Sequence, residues 1–331
     1  MAETRRPTVP AAEEVLGGYF PVLDHGFVAL VDYMGSDQDV ERAARVSYGF
    51  GTRKVSQTRG LIRYLRRHRH TTPSEMVELK FHVCMPIFIA RQWIRHRTAN
   101  VNEYSGRYSL MPLLFYTPES KDFALQSASN RQGRAAGAAD ESLYREAVER
   151  WESLRRDAGE GYGWMVANDV ARELARIDLP LSTYTQWYWK IDLHNLFHFL
   201  TLRVDPHAQY EIRAFGEVMA GILKRVAPLS YEAWMDYDFA GAPMSRGELA
   251  ALRELVSVSD DDGATLSARG GASLDGGRLA DLGLSRREAR ELATKLTDRP
   301  VPDFELDLSR MRSPEEMAAK MEEAVPRLDL E

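Results

Sequence analysis

Hydrophobic and polar positions alternate along the chain in blocks that predict both strands and helices. Segment 26–34 is an apolar run typical of a buried strand. In segment 77–85 every second residue is apolar, which indicates a strand with one buried face. An aromatic and β-branched run at 182–191 predicts a further strand. These three segments supply the predicted sheet.

Helices are predicted where apolar residues recur at helical spacing. Ser36 followed by Asp39 is a capping pattern and predicts a helix to about Val46, and Asp192 can cap another. Asn168 is a possible cap for a helix that follows it. The other predicted helices span 57–67, 87–97, 141–156, 169–176, 193–203 and 208–225. The small, polar stretch 119–140 is interpreted as a surface insertion.

The character of the sequence changes after Ala240. Three Ser-x-x-Glu capping boxes begin at Ser245, Ser285 and Ser313, each typical of a helix start. The composition of 257–277, rich in Gly, Ser and Asp, is typical of a flexible linker. We therefore predict a main domain at 1–240 and a helical C-terminal extension at 241–331 with no recognisable chemistry.

Composition restricts the class of protein. Hydrophobic residues make up 44% of the chain and charged residues 28%, which is ordinary for a globular protein. No apolar run reaches the roughly 18 residues of a membrane-spanning helix, and the N-terminal residues have no signal-peptide pattern. The one cysteine, Cys84, excludes a disulfide within the chain. We expect a soluble cytoplasmic protein without a membrane partner.

Charge is distributed unevenly. The net charge is −6, yet nine Lys and Arg residues face only two acids, Glu75 and Glu78, between Arg59 and Arg97. A basic island in an acidic chain indicates an anionic ligand that is bound locally. A nucleic-acid partner is disfavoured, because such proteins usually present a basic face on a basic domain.

The most informative polar residues lie between Arg91 and Tyr108. If the predicted helix reaches residue 97, Gln92 and His96 are one turn apart and lie side by side. The run Ser105-Gly106-Arg107 combines a hydroxyl, a glycine and a guanidinium, which suits a phosphate. Glu103 adds an acceptor for a sugar hydroxyl or a ring N–H. The segment therefore predicts a site for a phosphorylated, hydrogen-bonding ligand.

The sequence can also be compared with the patterns of a metal site, a nucleic-acid-binding protein and a dinucleotide-binding domain. His68 with His70, and His194 with His198, have spacings that can bind zinc, but no cysteine or carboxylate accompanies either pair. The Arg-rich stretch 63–70 could contact nucleic acid, but a solvated helix face is the better explanation. No Gly-rich dinucleotide or phosphate-loop motif occurs. We predict no metal site, no nucleic-acid partner and no Rossmann domain.

The central segment resembles a known enzyme family. Arg95-His96-Arg97, followed after seven residues by Ser105, is similar to the signature of the flavin-dependent thymidylate synthases. Other segments match that family in order and spacing, namely 42–47, 68–73, 91–93, 175–180 and 202–208. The resemblance covers roughly residues 22–240.

This resemblance implies a fold and a reaction. The expected fold is α+β, a mostly antiparallel sheet flanked by helices, assembled as a homotetramer with its sites at subunit interfaces. The implied reaction methylates dUMP to dTMP, with 5,10-methylenetetrahydrofolate as the one-carbon donor. NADPH would reduce FAD, and the reduced flavin would deliver the hydride.

The resemblance also implies residue roles. Arg203 would be the catalytic residue, because it would lie against the pyrimidine and favour ionisation at its N3. The implied dUMP-binding residues are Gln92, Arg95, Glu103, Ser105, Gly106, Arg107, Arg176 and Arg203. The implied FAD-binding residues are His70, Thr72, Arg95, His96, Arg97, Asn102, Glu103, Asp192, His194 and His198. The family commonly has Asn and Arg where Asp192 and His194 stand, and often Ser in place of Asn100.

Overall fold

The computed structural model describes residues 6–46, 58–128, 133–259, 265–297 and 300–325. Two compact units are distinguished, one formed by 1–234 with 304–331 and the other by 235–303. Ser47 of the first matched segment and Gln57 at the start of a predicted helix lie outside the described residues, as do 260–264. No helix of the described ranges is long and apolar enough to cross a membrane.

The first unit is built on a five-stranded sheet with neighbouring strands antiparallel. Its strands are β1 (Tyr19–Val22), β2 (Gly26–Met34), β3 (Glu78–Pro86), β4 (Asn100–Glu103) and β5 (Tyr184–Asp192). Their order across the sheet is β1-β2-β3-β5-β4. The three predicted strands are β2, β3 and β5. They lie in the middle because their apolar residues are buried, whereas β4 is an exposed edge that was not predicted.

Helices of the first unit flank this sheet, so the predicted α+β class is confirmed. They are α1 (Pro10–Glu13), α2 (Asp37–Arg45), α3 (Thr58–Arg67), α4 (Ile87–Trp93), α5 (Glu141–Ala167), α6 (Arg172–Ala175), α7 (Leu193–Arg203), α8 (Tyr210–Val226) and α9 (Pro228–Trp234). The second unit contains α10 (Arg246–Leu255), β6 (Val256–Ser259), β7 (Thr265–Ala268), α11 (Gly276–Asp281) and α12 (Arg286–Leu296). The last helix, α13 (Pro314–Glu323), belongs to the first unit.

Side-chain caps explain where several helices start. Ser36 and Asp39 form the predicted capping box of α2, and the Asp192 carboxylate accepts the Asn195 backbone N–H at 2.9 Å at the start of α7. The predicted cap at Asn168 is wrong. Asn168 ends α5, and its side-chain amide donates to the Trp164 carbonyl at 2.8 Å, while Ala171 precedes α6.

The predicted helix 87–97 is too long, and its proposed polar face is therefore wrong. Helix α4 ends at Trp93, and the His96 N–H donates to the Trp93 carbonyl at 3.0 Å in a turn. The chain must become extended at Asn100, because β4 pairs with β5 from that residue onward. Arg95 and His96 consequently lie in the turn between α4 and β4.

An aromatic cluster joins α4, β5 and α7. The Trp93 ring lies 5.3 Å from the Trp189 ring and 4.8 Å from the Phe199 ring, centroid to centroid. All three side chains are almost completely buried. Large aromatic side chains contribute much of the apolar area that a core removes from water. The cluster fixes the end of α4 against the middle of α7.

The chain beyond Asp303 returns to the first unit. Met317 of α13 is 5% exposed and packs in one cluster with Phe27, Cys84 and Tyr184. The Phe304 N–H donates to the Tyr231 hydroxyl at 3.1 Å. The residues after the predicted boundary at Ala240 are thus shared between two units, although their functional division remains a prediction.

The second unit has a small core of its own. Ala251, Leu284 and Leu292 are buried together, and the predicted capping boxes at Ser245 and Ser285 are both present. The described part of the expected linker 257–277 is partly ordered. Residues 257–259 and 265–268 pair as β6 and β7, residues 269–275 form no helix or strand, and α11 begins at Gly276.

We predict that Met317→Ala lowers the free energy of unfolding by about 2–5 kcal/mol, because it leaves a cavity among buried side chains. Denaturant unfolding of the full chain measures this loss. The control is Leu308→Ala in the same C-terminal segment, where the side chain is 40% exposed. Equal losses for the two variants would contradict the packing described for α13.

Candidate active site

Arg203 and His96 meet at the C-terminal end of α7. The apolar residues of α7 are buried under the sheet, which leaves the half-buried Arg203 at the rim. The Arg203 Nε–H donates to His96 Nε2 at 3.0 Å. His96 must therefore be unprotonated at this nitrogen, and the Nη groups of Arg203 remain for other partners.

Burial and charge keep His96 neutral. Burial, the charge of Arg203 and the nearby His198 together lower the pKa of His96 to about 4, and burial is the largest of the three causes. Burial also lowers the pKa of Arg203, but a guanidinium stays protonated in proteins. The pair is thus a fixed cation oriented by a neutral imidazole.

Arg203 and Gln92 both line a cleft of about 980 Å³. Within the part of the chain that the structure describes, the Gln92 Oε1 atom is buried and has no hydrogen-bond partner. Buried polar atoms are normally satisfied, so an unpaired one at a cleft indicates a ligand contact. The cleft combines a fixed cation with an amide that can donate and accept.

The cleft has a wall that sequence analysis missed. Residues of the stretch interpreted as a surface insertion line it, namely Ala124, Leu125, Gln126, Gly133 and Arg134. Their small and polar composition gave no periodic signal. Gln126 and Arg134 pair in an antiparallel bridge. Arg134 is fixed at the cleft by its ion pair with Glu211, which is distant in sequence.

The predicted phosphate cradle forms a separate feature. The Ser105 carbonyl accepts the N–H groups of Tyr108 and Ser109, each at 3.1 Å, in a tight turn. Gly106 is buried within it, and a Cβ atom there would lie 2.6 Å from Met111 Sδ and 3.1 Å from Arg176 Cδ. A larger residue would therefore have to displace the Met111 side chain, and the turn brings Arg176 to the cradle.

Arg107 completes the cradle with an exposed cation. Its Nε lies 3.0 Å from Glu173 Oε2, and both side chains are more than half exposed. Exposed ion pairs of this kind are weak, so an anionic ligand can replace the carboxylate. None of the cradle residues lines the Arg203 cleft.

The edge strand β4 carries two predicted site residues. Asn102 pairs with Tyr188 and Glu103 pairs with Trp187 of β5. The Glu103 carboxylate accepts the Thr185 hydroxyl at 2.8 Å, which fixes one of its oxygens. Arg95 and Arg97 are exposed in the preceding turn. These side chains lie on an accessible rim of the sheet.

The remaining predicted flavin residues lie around the start of α7. His70 is exposed, and Thr72 begins the short helical turn Thr72–Met76, which packs against α7. His194 Nδ1 is buried without a hydrogen-bond partner in the described residues, so it can bond to a ligand. Both Asp192 oxygens are bonded to Asn195, at 2.9 and 2.6 Å, so Asp192 acts as a helix cap.

Two alternative chemistries can be compared with the structure. Within the described ranges, no group of three or more His, Cys, Asp or Glu side chains could hold a metal ion. His198 lies near His96, with ring centroids 5.8 Å apart. Cys84 is fully buried, and burial raises the pKa of its thiol, which disfavours the reactive thiolate.

A family model described as thymidylate synthase complementing protein matches residues 29–229. A flavin-dependent thymidylate synthase of Gluconobacter oxydans (strain 621H) is 50% identical over 299 residues, covering 88% of this chain and 92% of the relative. One of Treponema denticola is 52% identical over 241 residues, covering 73% and 91%.

This chain belongs to the flavin-dependent thymidylate synthases. The predicted family, its flavin dependence and its methyltransferase class are confirmed. The fold is also similar to a solved structure, that of the UMP/dUMP methylase PolB from Streptomyces cacaoi bound with 5-Br UMP. That likeness has a TM-score of 0.60 and 33% identity, and covers 66% of this chain and 98% of PolB.

For this thymidylate synthase we predict that Arg203→Ala raises the pKa of His96, because the second cause of its depression is the adjacent positive charge. Burial remains the largest cause, so the pKa should stay below the ordinary value of about 6.5. NMR titration of the His96 ring protons measures it. An unchanged pKa would contradict the Arg203–His96 contact.

Proposed function

We propose that this enzyme methylates C5 of dUMP, takes the one-carbon unit from 5,10-methylenetetrahydrofolate and uses NADPH to reduce bound FAD. The observation that carries the proposal is the cleft in which His96 fixes Arg203 beside the unpaired Gln92 amide. A pyrimidine edge offers carbonyl oxygens and one N–H group. The guanidinium can donate to the carbonyl oxygens, and the Gln92 Oε1 atom can accept the N–H.

Arg203 has the electrostatic role in this proposal. Its Nη groups would donate to a uracil carbonyl and stabilise negative charge on the ring when N3 loses its proton. The added electron density at C5 favours attack on the one-carbon donor. Because His96 already fixes the guanidinium at 3.0 Å, little reorganisation is needed when the charge develops.

The nucleotide phosphate would be bound by Ser105, Gly106, Arg107 and Arg176. In the turn at Ser105 the Ser105 hydroxyl accepts the Arg107 N–H at 3.3 Å, and the Arg107 and Arg176 side chains lie beside the turn. Since this cradle does not line the cleft that contains Arg203, we propose that a second copy supplies it. A homotetramer with sites at subunit interfaces would combine the two features.

Flavin would be held by exposed and unpaired groups near the same rim. Arg95 and Arg97 are suited to its pyrophosphate, and the unpaired His194 Nδ1 to a polar atom of the dinucleotide. His70, Thr72, Asn102, Glu103 and His198 complete the proposed set, and Asp192 would act by capping α7. Reduced flavin supplies the hydride. The chain itself contributes binding, orientation and the Arg203 charge.

We predict that the purified enzyme is yellow because it binds flavin. We also predict that Arg203→Ala lowers dTMP formation by about 10²–10³-fold, because a preorganised hydrogen-bond donor is lost. Product formation from dUMP, NADPH and the folate donor measures this, with the flavin absorption spectrum as a check on cofactor binding. Arg145→Ala, which removes an exposed ion pair on α5, is the matched control. Turnover of Arg203→Ala near that of the control would refute the catalytic role.

A further prediction separates this chemistry from one that uses a cysteine nucleophile. Cys84→Ala should retain dTMP formation, because the thiol is buried among Phe27, Tyr184 and Met317 and its raised pKa disfavours the thiolate. The variant is assayed after flavin binding and folding have been verified. A folded variant that binds flavin and dUMP but forms no dTMP would contradict a cysteine-free mechanism.

A further inference from the structure

A short hairpin, which we call the cleft hairpin, forms one wall of the Arg203 cleft. Its described parts are 123–128 and 133–139. The Ala135 N–H donates to the Leu125 carbonyl at 2.8 Å, and the Ala139 N–H donates to the Phe123 carbonyl at 2.7 Å. Its base packs on α5, where the Phe123 ring contacts the Trp151 ring at 5.9 Å. The hairpin is therefore ordered by backbone bonds and one aromatic anchor.

Arg134 links the cleft hairpin to α8. It lines the cleft, donates through Nη1 to the Asp122 carbonyl at 3.0 Å and forms an ion pair through Nη2 with Glu211. The Arg134 side chain is 36% exposed, whereas the Glu211 side chain is 2% exposed. The carboxylate therefore belongs to the scaffold, and the arginine reaches it from the cleft side.

Glu211 is bonded to three separate elements. Its Oε1 accepts from Arg134 and, at 3.0 Å, from the Tyr116 hydroxyl. Its Oε2 accepts the Gln209 side-chain amide at 2.9 Å. Gln209 lines the cleft as well. One buried carboxylate thus fixes the hairpin wall and the loop before α8, on two sides of the same cleft.

Burying a carboxylate is costly unless it is paired and hydrogen-bonded. An apolar residue at position 211 of α8 could be buried without this cost. The buried charge therefore calls for an explanation from its surroundings. The partners of Glu211 provide one, because two of the three line the cleft that contains Arg203.

We infer that Glu211 is a positioning residue for nucleotide binding, acting through Arg134 and Gln209 to set the shape of the cleft beside Arg203. This inference rests on the proposed function, because dUMP is the ligand assigned to that cleft. Glu211 does not itself line that cleft. It fixes residues that would surround the nucleotide.

The test measures dUMP affinity and turnover separately on the flavin-loaded, full-length enzyme. Glu211→Gln keeps the size of the side chain but removes the charge that holds Arg134. We expect the dissociation constant for dUMP to rise about 10–100-fold, because re-ordering the Arg134 and Gln209 side chains on binding lowers affinity by about this much. The kcat at saturating dUMP should stay within about threefold, the pattern expected when ground-state binding is lost. Calorimetric titration with dUMP gives the affinity.

Arg134→Ala approaches the same contact from the exposed side and remains informative if Glu211→Gln folds poorly. Its dUMP affinity should fall similarly, and Arg134→Lys should restore part of it because a cation again faces Glu211. Combining Glu211→Gln with Arg134→Ala should be no worse than either change alone, since interacting residues are not additive. Arg145→Ala, an exposed ion-pair loss on α5, is the control.

Several outcomes would overturn the inference. These are unchanged dUMP affinity in both variants, lower thermal stability with unchanged affinity, and a loss confined to kcat. Failure of the proposed function is a different result, because the unsubstituted enzyme would then form no dTMP and bind no dUMP.

Discussion

The geometry of the candidate site depends on one hydrogen bond between a cation and a neutral imidazole. The orientation of the Arg203 guanidinium is fixed, because its Nε–H donates to His96 Nε2 at 3.0 Å. This contact requires the turn after α4 to lie against the end of α7. The cluster of Trp93, Trp189 and Phe199 provides that placement by burying one large aromatic ring from each of three elements. Core packing thereby determines the orientation of the residue that carries the proposed chemistry.

Sequence patterns predicted the elements whose role is to bury one face. Strand β3 alternates between partly buried and buried residues from Glu78 to Val83, and its last residues are buried throughout. Helix α7 starts after Asp192 because the carboxylate of that residue satisfies a backbone N–H. Strand β4 was not predicted, because all four of its residues are exposed and it is held in place by pairing with β5. The packing of α13 on the first unit was not predicted either, because the local spacing of residues carries no information about a distant partner such as Phe27.

The candidate site was predictable as a set of residues but not as a geometry. Matching segments identified Arg203, His96 and Ser105, while the assumed helix through His96 gave the wrong neighbours. Trp93 ends that helix, so His96 faces Arg203 instead of Gln92. Glu211 gave no signal, because an acidic residue in the first turn of a helix is ordinary. Its burial follows from Tyr116 and Arg134, which are remote in sequence.

The neutral state of His96 links the site to the fold. Because the pKa of His96 in the folded chain is about 4, below the ordinary value of about 6.5, the unfolded chain binds a proton more readily. Stability from this residue is therefore fully present above about pH 6.5 and is lost as the pH falls towards 4. Protonation would also give His96 Nε2 a hydrogen and turn the acceptor of Arg203 into a second cation. The same proton thus removes the orientation of Arg203 and weakens the packing that supports it, so acid affects activity and folding through one contact.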